Sequence, residues 1–285
     1  MNELGTRIVL SLQNKTKLKD FALRLYLYKY HYLETGVCEL FLRSVTLLKE
    51  KIGDTQSYPF TVPSIRELDT LEFDSPVTFF VGENGSGKST LLEAIAYQCG
   101  FHTAGGGRNH IHEVDASHAA LGDYLRLAWL PKVTRGFFLR AESFYHFASY
   151  LDQLAKEDPT FNYGGYGGRS LHHQSHGEAF LALFSNQFRN KGIYLLDEPE
   201  AALSPARQLA LLSILHQLTS KGNAQCIIAT HSPILLGFPD ATIYSFDSVP
   251  IERVNYEDTE HYQITKGFLN RTDKFLEELF RDDEI

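Results

Sequence analysis

Nine consecutive residues constrain this chain more than any others: Gly82-Glu83-Asn84-Gly85-Ser86-Gly87-Lys88-Ser89-Thr90. They read G-x-x-x-x-G-K-S, the spacing of a phosphate-binding P-loop. Their flanks agree with that reading. Val77-Thr78-Phe79-Phe80-Val81 precedes them as a short apolar, β-rich run, and Leu91-Leu92-Glu93-Ala94-Ile95-Ala96 follows as a helix former. Strand, glycine-rich loop and helix are the context that the motif requires. Glycines let backbone N–H groups converge on phosphate oxygens with no Cβ in the way. The helix N-terminus adds partial positive charge at the same point. Lys88 reaches toward β- and γ-phosphates, and the Ser89 hydroxyl is a ligand for Mg²⁺.

Further along, Ile193-Tyr194-Leu195-Leu196-Asp197-Glu198 is an apolar strand that ends in two carboxylates. Next to a P-loop, Asp197 is placed to hold Mg²⁺ through a water and Glu198 to accept a proton from an attacking water. Gln225-Cys226-Ile227-Ile228-Ala229-Thr230 reads as another buried strand and delivers His231 to its end. In a mostly parallel sheet the strand ends share one crevice, so His231 is positioned to meet a γ-phosphate. Ile243-Tyr244-Ser245-Phe246 reads as one more strand.

Between these motifs, a strand over Gly136-Phe137-Phe138-Leu139-Arg140 and a helix over 143–157 precede a glycine-rich stretch, Tyr163-Gly164-Gly165-Tyr166-Gly167-Gly168. Gly177-Glu178-Ala179 then opens an amphipathic helix bearing Phe180, Leu181, Phe184 and Phe188. Ser175 stands at its N-cap position, which puts Ser175, His176 and Gly177 on a helix N-terminus suited to an anion. Ser204-Pro205 starts a helix with Leu211, Leu215 and Leu218 on its core face, stopping at Gly222.

The first 38 residues are locally basic through Lys15, Lys17, Lys19, Arg24 and Lys29, with Tyr26, Tyr28, Tyr30 and Tyr32 interleaved. Such an arm suits nucleic acid; the simpler reading is a strand or helix docked on the domain edge. A strand over 39–47 follows, and Pro59 and Pro63 are expected to keep the next stretch irregular. Tyr58 and Phe60 are each open to two readings, stacking on adenine or filling the core. Gly105-Gly106-Gly107-Arg108 reads as a loop, and His110 and His112 as solvent-facing, with no carboxylate or cysteine set to complete a metal site.

Net charge −8 argues against a surface coated for nucleic acid without excluding a local patch. Cys38, Cys99 and Cys226 are scattered and fit buried thiols in a reducing compartment, so a cytoplasmic location is expected. No apolar stretch approaches the length of a transmembrane helix, which implies no membrane insertion.

Taken together, these motifs resemble the ATP-binding-cassette (ABC) ATPases, roughly over residues 40–247. The resemblance implies an α/β ABC-type P-loop NTPase with a mostly parallel central sheet and a small helical signature lobe. The lobe falls at about 140–190 inside an ATPase domain over 39–250, between an extension at 1–38 and an acidic tail at 251–285 with a final helix. It makes Gly82 to Thr90 the Walker A loop, Asp197 the Walker B acid, Glu198 the catalytic carboxylate and His231 the switch histidine. Ser175-His176-Gly177-Glu178 resembles the signature, which binds the γ-phosphate of the opposite subunit, and Ala201-Ala202-Leu203-Ser204 the D-loop. Glu142 is the nearest candidate for the family's glutamine on Mg²⁺. Arg43, in Phe41-Leu42-Arg43-Ser44, is placed to approach the nucleotide. The Ser-His-Gly-Glu signature and Thr230-His231-Ser232-Pro233 look more like the stand-alone cassettes related to chromosome-maintenance, recombination and phage-defence ATPases, without their coiled-coil insert. The implied ligands are ATP and Mg²⁺, and the implied partners are a second copy on ATP binding and an effector protein or DNA. The other readings are the nucleotide-binding subunit of a transporter, and a small-molecule kinase, against which the signature and switch histidine count.

Overall fold

A strand buried on both faces has no solvent side and so reads as a continuous apolar run. The three such runs become β3 (Val77–Val81), β6 (Gly192–Asp197) and β7 (Ala224–Ala229), in which every residue is buried. The computed structural model describes residues 40–101, 121–187 and 191–281, the side chain of His176 excepted. The basic stretch 1–38, the Gly105–Arg108 loop, His110, His112 and Phe188 lie outside the described residues.

With β5 (Gly136–Arg140), β8 (Thr242–Ser245) and β9 (Glu252–Arg253), the three runs form a six-stranded sheet in the order β5-β6-β7-β3-β8-β9. Every pairing is parallel except the last, β8 with β9. A second, antiparallel sheet contains β1 (Leu42–Leu47), β2 (Thr70–Glu72) and β4 (Leu125–Trp129) in the order β2-β1-β4. Pro63 does not lie in an irregular stretch as expected. It opens α1 (Pro63–Arg66), where its missing N–H costs nothing because first-turn donors have no intrahelical partner.

Side chains alternate across a strand, so each central strand feeds two cores. Phe79, Leu196 and Ile228 point to one cluster, which α3 (Phe144–Glu157), α4 (His176–Gln187), α5 (Pro205–Thr219) and α6 (Pro233–Leu236) cover. Phe80, Leu195 and Ile227 point to the other, closed by α2 (Lys88–Gln98) and the antiparallel sheet. Cys226 is fully buried within the first cluster, and its thiol is pushed up to about 12 by that burial. The helical lobe, α3 and α4 joined by short 3₁₀ turns at Tyr163–Tyr166 and Leu171–His173, lies between β5 and β6 in the chain. Pro205 fixes the first turn of α5, although the Ser204 side chain makes no capping bond. The acidic tail folds into two helices, α7 (Glu260–Asn270) and α8 (Thr272–Leu279), and leaves Leu279 and Phe280 exposed.

A buried amide helps tie the two sheets together, as does the Tyr244 hydroxyl of β8, which donates to the Glu72 carbonyl of β2 at 2.6 Å. Gln225 is fully buried on β7. Its carbonyl accepts the backbone N–H groups of Phe41 (3.0 Å) and Leu42 (2.8 Å), and its amide donates to the Leu42 carbonyl at 2.8 Å. Replacing it by leucine strands three backbone groups away from water, each worth about 1–3 kcal/mol when unsatisfied. Gln225→Leu should therefore cost about 3–5 kcal/mol, read as a fall in the urea midpoint; an unchanged midpoint would show that the staple is dispensable.

Candidate nucleotide site

Parallel pairing brings the C-terminal ends of β3, β6, β7 and β8 to one edge of the sheet, the side where α/β folds bind ligands. Each strand end carries a different group. The P-loop leaves β3, Asp197 and Glu198 end β6, Thr230-His231 follow β7, and Asp247 follows β8.

In the P-loop the chain curls around Lys88, whose ammonium donates to the carbonyls of Gly82 (2.6 Å) and Glu83 (2.9 Å). Gly87 has φ 102°, and a Cβ there would stand 2.8 Å from Ser64 Oγ and 3.0 Å from Ile65 Cγ1, so only glycine fits without strain. The Ser64 hydroxyl donates to the Ser86 carbonyl. Asp247 Oδ1 accepts the Glu83 N–H at 2.7 Å and so ties the loop to the end of β8. The Lys88 ammonium, 4% exposed, is held below its ordinary pKa by burial, against the pull of Glu198, Asp247, Asp197 and Glu83.

Ser89 Oγ donates to Asp197 Oδ1 at 2.9 Å. Arg140, opposite Asp197 in the β5–β6 register, places its Nε 3.4 Å from Asp197 Oδ2 and donates to the buried Glu93 at 2.7 Å. The same guanidinium pairs with Glu142 at 3.2 Å. Glu142 thus belongs to this charge cluster through Arg140, with its carboxylate 72% exposed. Burial pushes the Asp197 carboxyl up to about 7, with Arg140 and Ser89 pulling the other way.

Glu198 occupies the left-handed region, φ 48° and ψ 50°, its N–H held by the Ala229 carbonyl at 2.9 Å. A glutamate there costs about 1 kcal/mol or more, the kind of strain that collects at working residues. The strained backbone and the Ala229 bond seat the carboxylate with Oε1 3.6 Å from His231 Nε2. The His231 N–H donates to Glu200 Oε1 at 2.6 Å, and Ser232 caps α6 by accepting the N–H groups of Ile234 and Leu235. Burial first, and Lys88 second, hold the His231 imidazole below its ordinary pKa.

Ser175, Gly177 and Glu178, expected to form part of a signature, meet Arg207 of α5. Ser175 Oγ accepts from Arg207 of α5 at 3.2 Å, and Glu178 reaches back to the Ser175 N–H at 3.2 Å. A Cβ on Gly177 would stand 2.5 Å from Arg207 Nη1 and 3.1 Å from the Ala202 carbonyl, so glycine lets the guanidinium lie across the helix N-terminus. These groups bond to Arg207 and to one another rather than to the P-loop. Arg43 is exposed on β1 in the antiparallel sheet and stands outside the loop's hydrogen bonds. Phe60 packs into the core edge-on to Tyr124. Tyr58 stays half exposed, its hydroxyl 3.0 Å from Thr90 Oγ1, which leaves it the one of the two aromatics beside the loop with a ring free to stack.

Two polar atoms of this crevice, Ser86 Oγ and His231 Nε2, are buried with no hydrogen-bond partner among the described residues. Ser89 and Asp197 offer the hard oxygen donors that Mg²⁺ takes alongside phosphate and water. No group of three His, Cys, Asp or Glu side chains among the described residues makes a metal cage by itself, and Mg²⁺ bound with phosphates needs none. The residues present therefore fit a Mg²⁺–nucleotide. No helix among them is long and apolar enough to cross a membrane.

Comparison with known proteins agrees with this geometry. Residues 59–126 match the family described as "AAA domain", and residues 120–237 that described as "AAA domain, putative AbiEii toxin, Type IV TA system". The xylose import ATP-binding protein XylG of Moorella thermoacetica is 28% identical over 187 residues, 59% of this chain and 37% of XylG. The DNA repair protein RAD50 of Dictyostelium discoideum is 47% identical over 34 residues, 12% of this chain and 2% of RAD50. The chain thus spans well under half the length of either curated relative. The SMC head domain from Thermotoga maritima aligns over 76% of this chain and 99% of that one, at 16% identity and TM-score 0.43. The sheet order and the loop are those of a P-loop NTPase fold. The order of this chain's motifs is similar to that of the ABC-type P-loop ATPases, and the two family matches are both to AAA domains.

The raised Asp197 pKa fixes the sign of a pH effect in metal-free protein. The folded carboxyl keeps its proton until about 7 and the unfolded one until 3.8, so its stabilisation is complete below the lower value. It is lost as pH rises through the upper one. Between about pH 5 and pH 8 the parent should lose about 1 kcal/mol or more beyond what Asp197→Asn loses. Urea titrations giving equal losses for the two proteins would exclude the shift.

Proposed function

We propose that this chain hydrolyses ATP to ADP and phosphate with Mg²⁺, and that two copies close head to tail around the nucleotides to act on DNA or a partner protein in repair or defence. The observation that carries the reading is the Glu198–His231 pair, 3.6 Å apart at neighbouring strand ends beside Lys88. Lys88, Gly85 and the N–H groups that open α2 receive the β- and γ-phosphates, with Asn84, Ser86 and Thr90 lining the same loop. Ser89 and, through water, Asp197 would hold Mg²⁺, which would supply positive charge against the phosphates. Glu198 takes the proton of the attacking water, and His231 Nε2 donates to the γ-phosphate oxygen on which charge develops. Glu142 and Arg43 are secondary candidates on the metal and the nucleotide.

Ser175, His176, Gly177 and Glu178 are assigned to the second copy's nucleotide. Support comes from their separate placement on α4, whose N-terminus faces Arg207 rather than its own P-loop. ATP then favours the closed pair because only that state engages both halves of each site. The RAD50 likeness and the toxin-associated family match support a DNA or effector partner. The XylG likeness favours a second reading, the nucleotide-binding subunit of a transporter; recovery of a polytopic membrane protein with the chain would select it.

Glu198→Gln should lower kcat by about 10²–10⁴ while leaving nucleotide affinity nearly unchanged. Phosphate release equal to the parent's would show that another group is the base. The same variant should accumulate as a dimer with ATP and Mg²⁺. Adding Ser175→Arg should return it to monomer with ATP affinity within about twofold, because the bulk falls on the partner's γ-phosphate. Light scattering after size exclusion reads both; a mass indifferent to ATP would end the head-to-tail arrangement.

A further inference from the structure

The acidic tail, to which the sequence assigned no chemistry, reaches the reacting end of the sheet. His261, in the first turn of α7, places its Nε2 2.9 Å from His231 Nδ1. The two rings are tilted by 52° with centroids 5.0 Å apart. This contact has its own anchor. The Tyr256 hydroxyl donates to the Pro233 carbonyl at 2.8 Å, two residues beyond His231. Thr259, 3% exposed, turns the chain into α7 by donating to the Tyr256 carbonyl at 2.7 Å. The tail is therefore clamped to the His231 loop before His261 is reached.

Two imidazole nitrogens at this distance share one proton between them, and which ring carries it decides the state of the far nitrogen of His231. That far nitrogen, Nε2, has no hydrogen-bond partner among the described residues and faces Glu198 Oε1 at 3.6 Å, with Asp197 one residue before. A lone pair aimed at a carboxylate is repelled, whereas an N–H is attracted. We infer that His261 Nε2–H donates to His231 Nδ1 and so fixes His231 as the tautomer that presents its Nε2–H to the active crevice. Burial, which disfavours the imidazolium, supports a neutral ring whose single proton must be assigned. His261 is a positioning residue, acting through His231 and not on the nucleotide. The effect resembles that of the partners that set the tautomer of metal-bound histidines, whose loss costs about 10–100-fold.

The inference rests on the hydrolytic reading of the site, and its test separates the two. In the full chain with ATP and Mg²⁺, His261→Phe keeps the ring's bulk and removes the donor. It should lower kcat about tenfold or more with KM for ATP within about twofold. His261→Gln, whose amide can donate to Nδ1, should recover most of that loss. In a His231→Ala background, His261→Phe should cause no further loss, because its route is gone. Independent losses that multiply, equal losses in the Phe and Gln variants, or no loss from His261→Phe would each overturn the inference. Nitrogen-15 NMR of the histidine rings in nucleotide-free protein gives a readout without turnover. His231 should show a single Nε2–H tautomer in the parent and a mixture in His261→Phe. A mixture in both would sink the inference even if ATP is hydrolysed. An Nε2–H tautomer lost in His261→Phe would support it even if the parent fails to hydrolyse ATP, a result that would remove the hydrolytic reading alone.

Discussion

A buried ammonium among carboxylates governs this site. Lys88 is almost wholly enclosed, and two P-loop carbonyls turn inward to receive it. Asp197, Glu198, Asp247 and Glu83 all act on it electrostatically. Lys88 and Arg140 face, among the described residues, an excess of acids that also includes Glu93 and Glu142. Such a crevice repels a polyphosphate unless another positive charge arrives with it. In the proposed function a divalent cation carried by the nucleotide would supply that charge, and the loop N–H groups would add the rest. On the proposed reading the acids are not incidental to a phosphate site; they would make nucleotide affinity depend on the metal.

The fold serves this charge arrangement by geometry. Parallel strands deliver four chain segments, distant in sequence, to one edge at a spacing of about 4.8 Å per strand. Rigid delivery matters because hydrogen bonds and proton transfers tolerate errors of only a few tenths of an ångström. The antiparallel sheet closes the second core over α2, and Gln225 joins the layers from inside. The lobe between β5 and β6 is secured differently, through Arg207 of α5 lying against the start of α4. The Arg207 guanidinium spans that junction in addition to the apolar packing of α3 and α4 against the sheet.

Much of the fold was legible because its signals are local. A buried strand is an apolar run, a P-loop is a fixed spacing of glycines, and a proline after a serine starts a helix. The positions of the P-loop, Asp197, Glu198 and His231 at strand ends all follow from such runs. What stayed hidden depends on contacts between distant residues. Nothing around Arg140 announces that it faces Asp197 across a strand pair, since only the β5–β6 register creates that neighbour. Gln225 looked like the polar start of an apolar strand, and its partners lie more than 180 residues away. His261 sits in a helix of the acidic tail with no motif, and Asp247 in a turn after β8. Phe60 and Tyr58 could not be separated by pattern, because a residue's burial depends on what packs above it. The structure sends Phe60 inward and leaves Tyr58 beside Thr90.

The left-handed backbone at Glu198 has a bearing on how this protein responds to selection. Glycine adopts that conformation without the steric cost that any residue with a Cβ bears there. A screen that rewards heat resistance or soluble yield alone would therefore tend to enrich changes that relieve residue 198, and with them lose the carboxylate that faces His231. Hardening this scaffold calls for a selection that also scores turnover, since a strained backbone position and the proposed general base are the same residue.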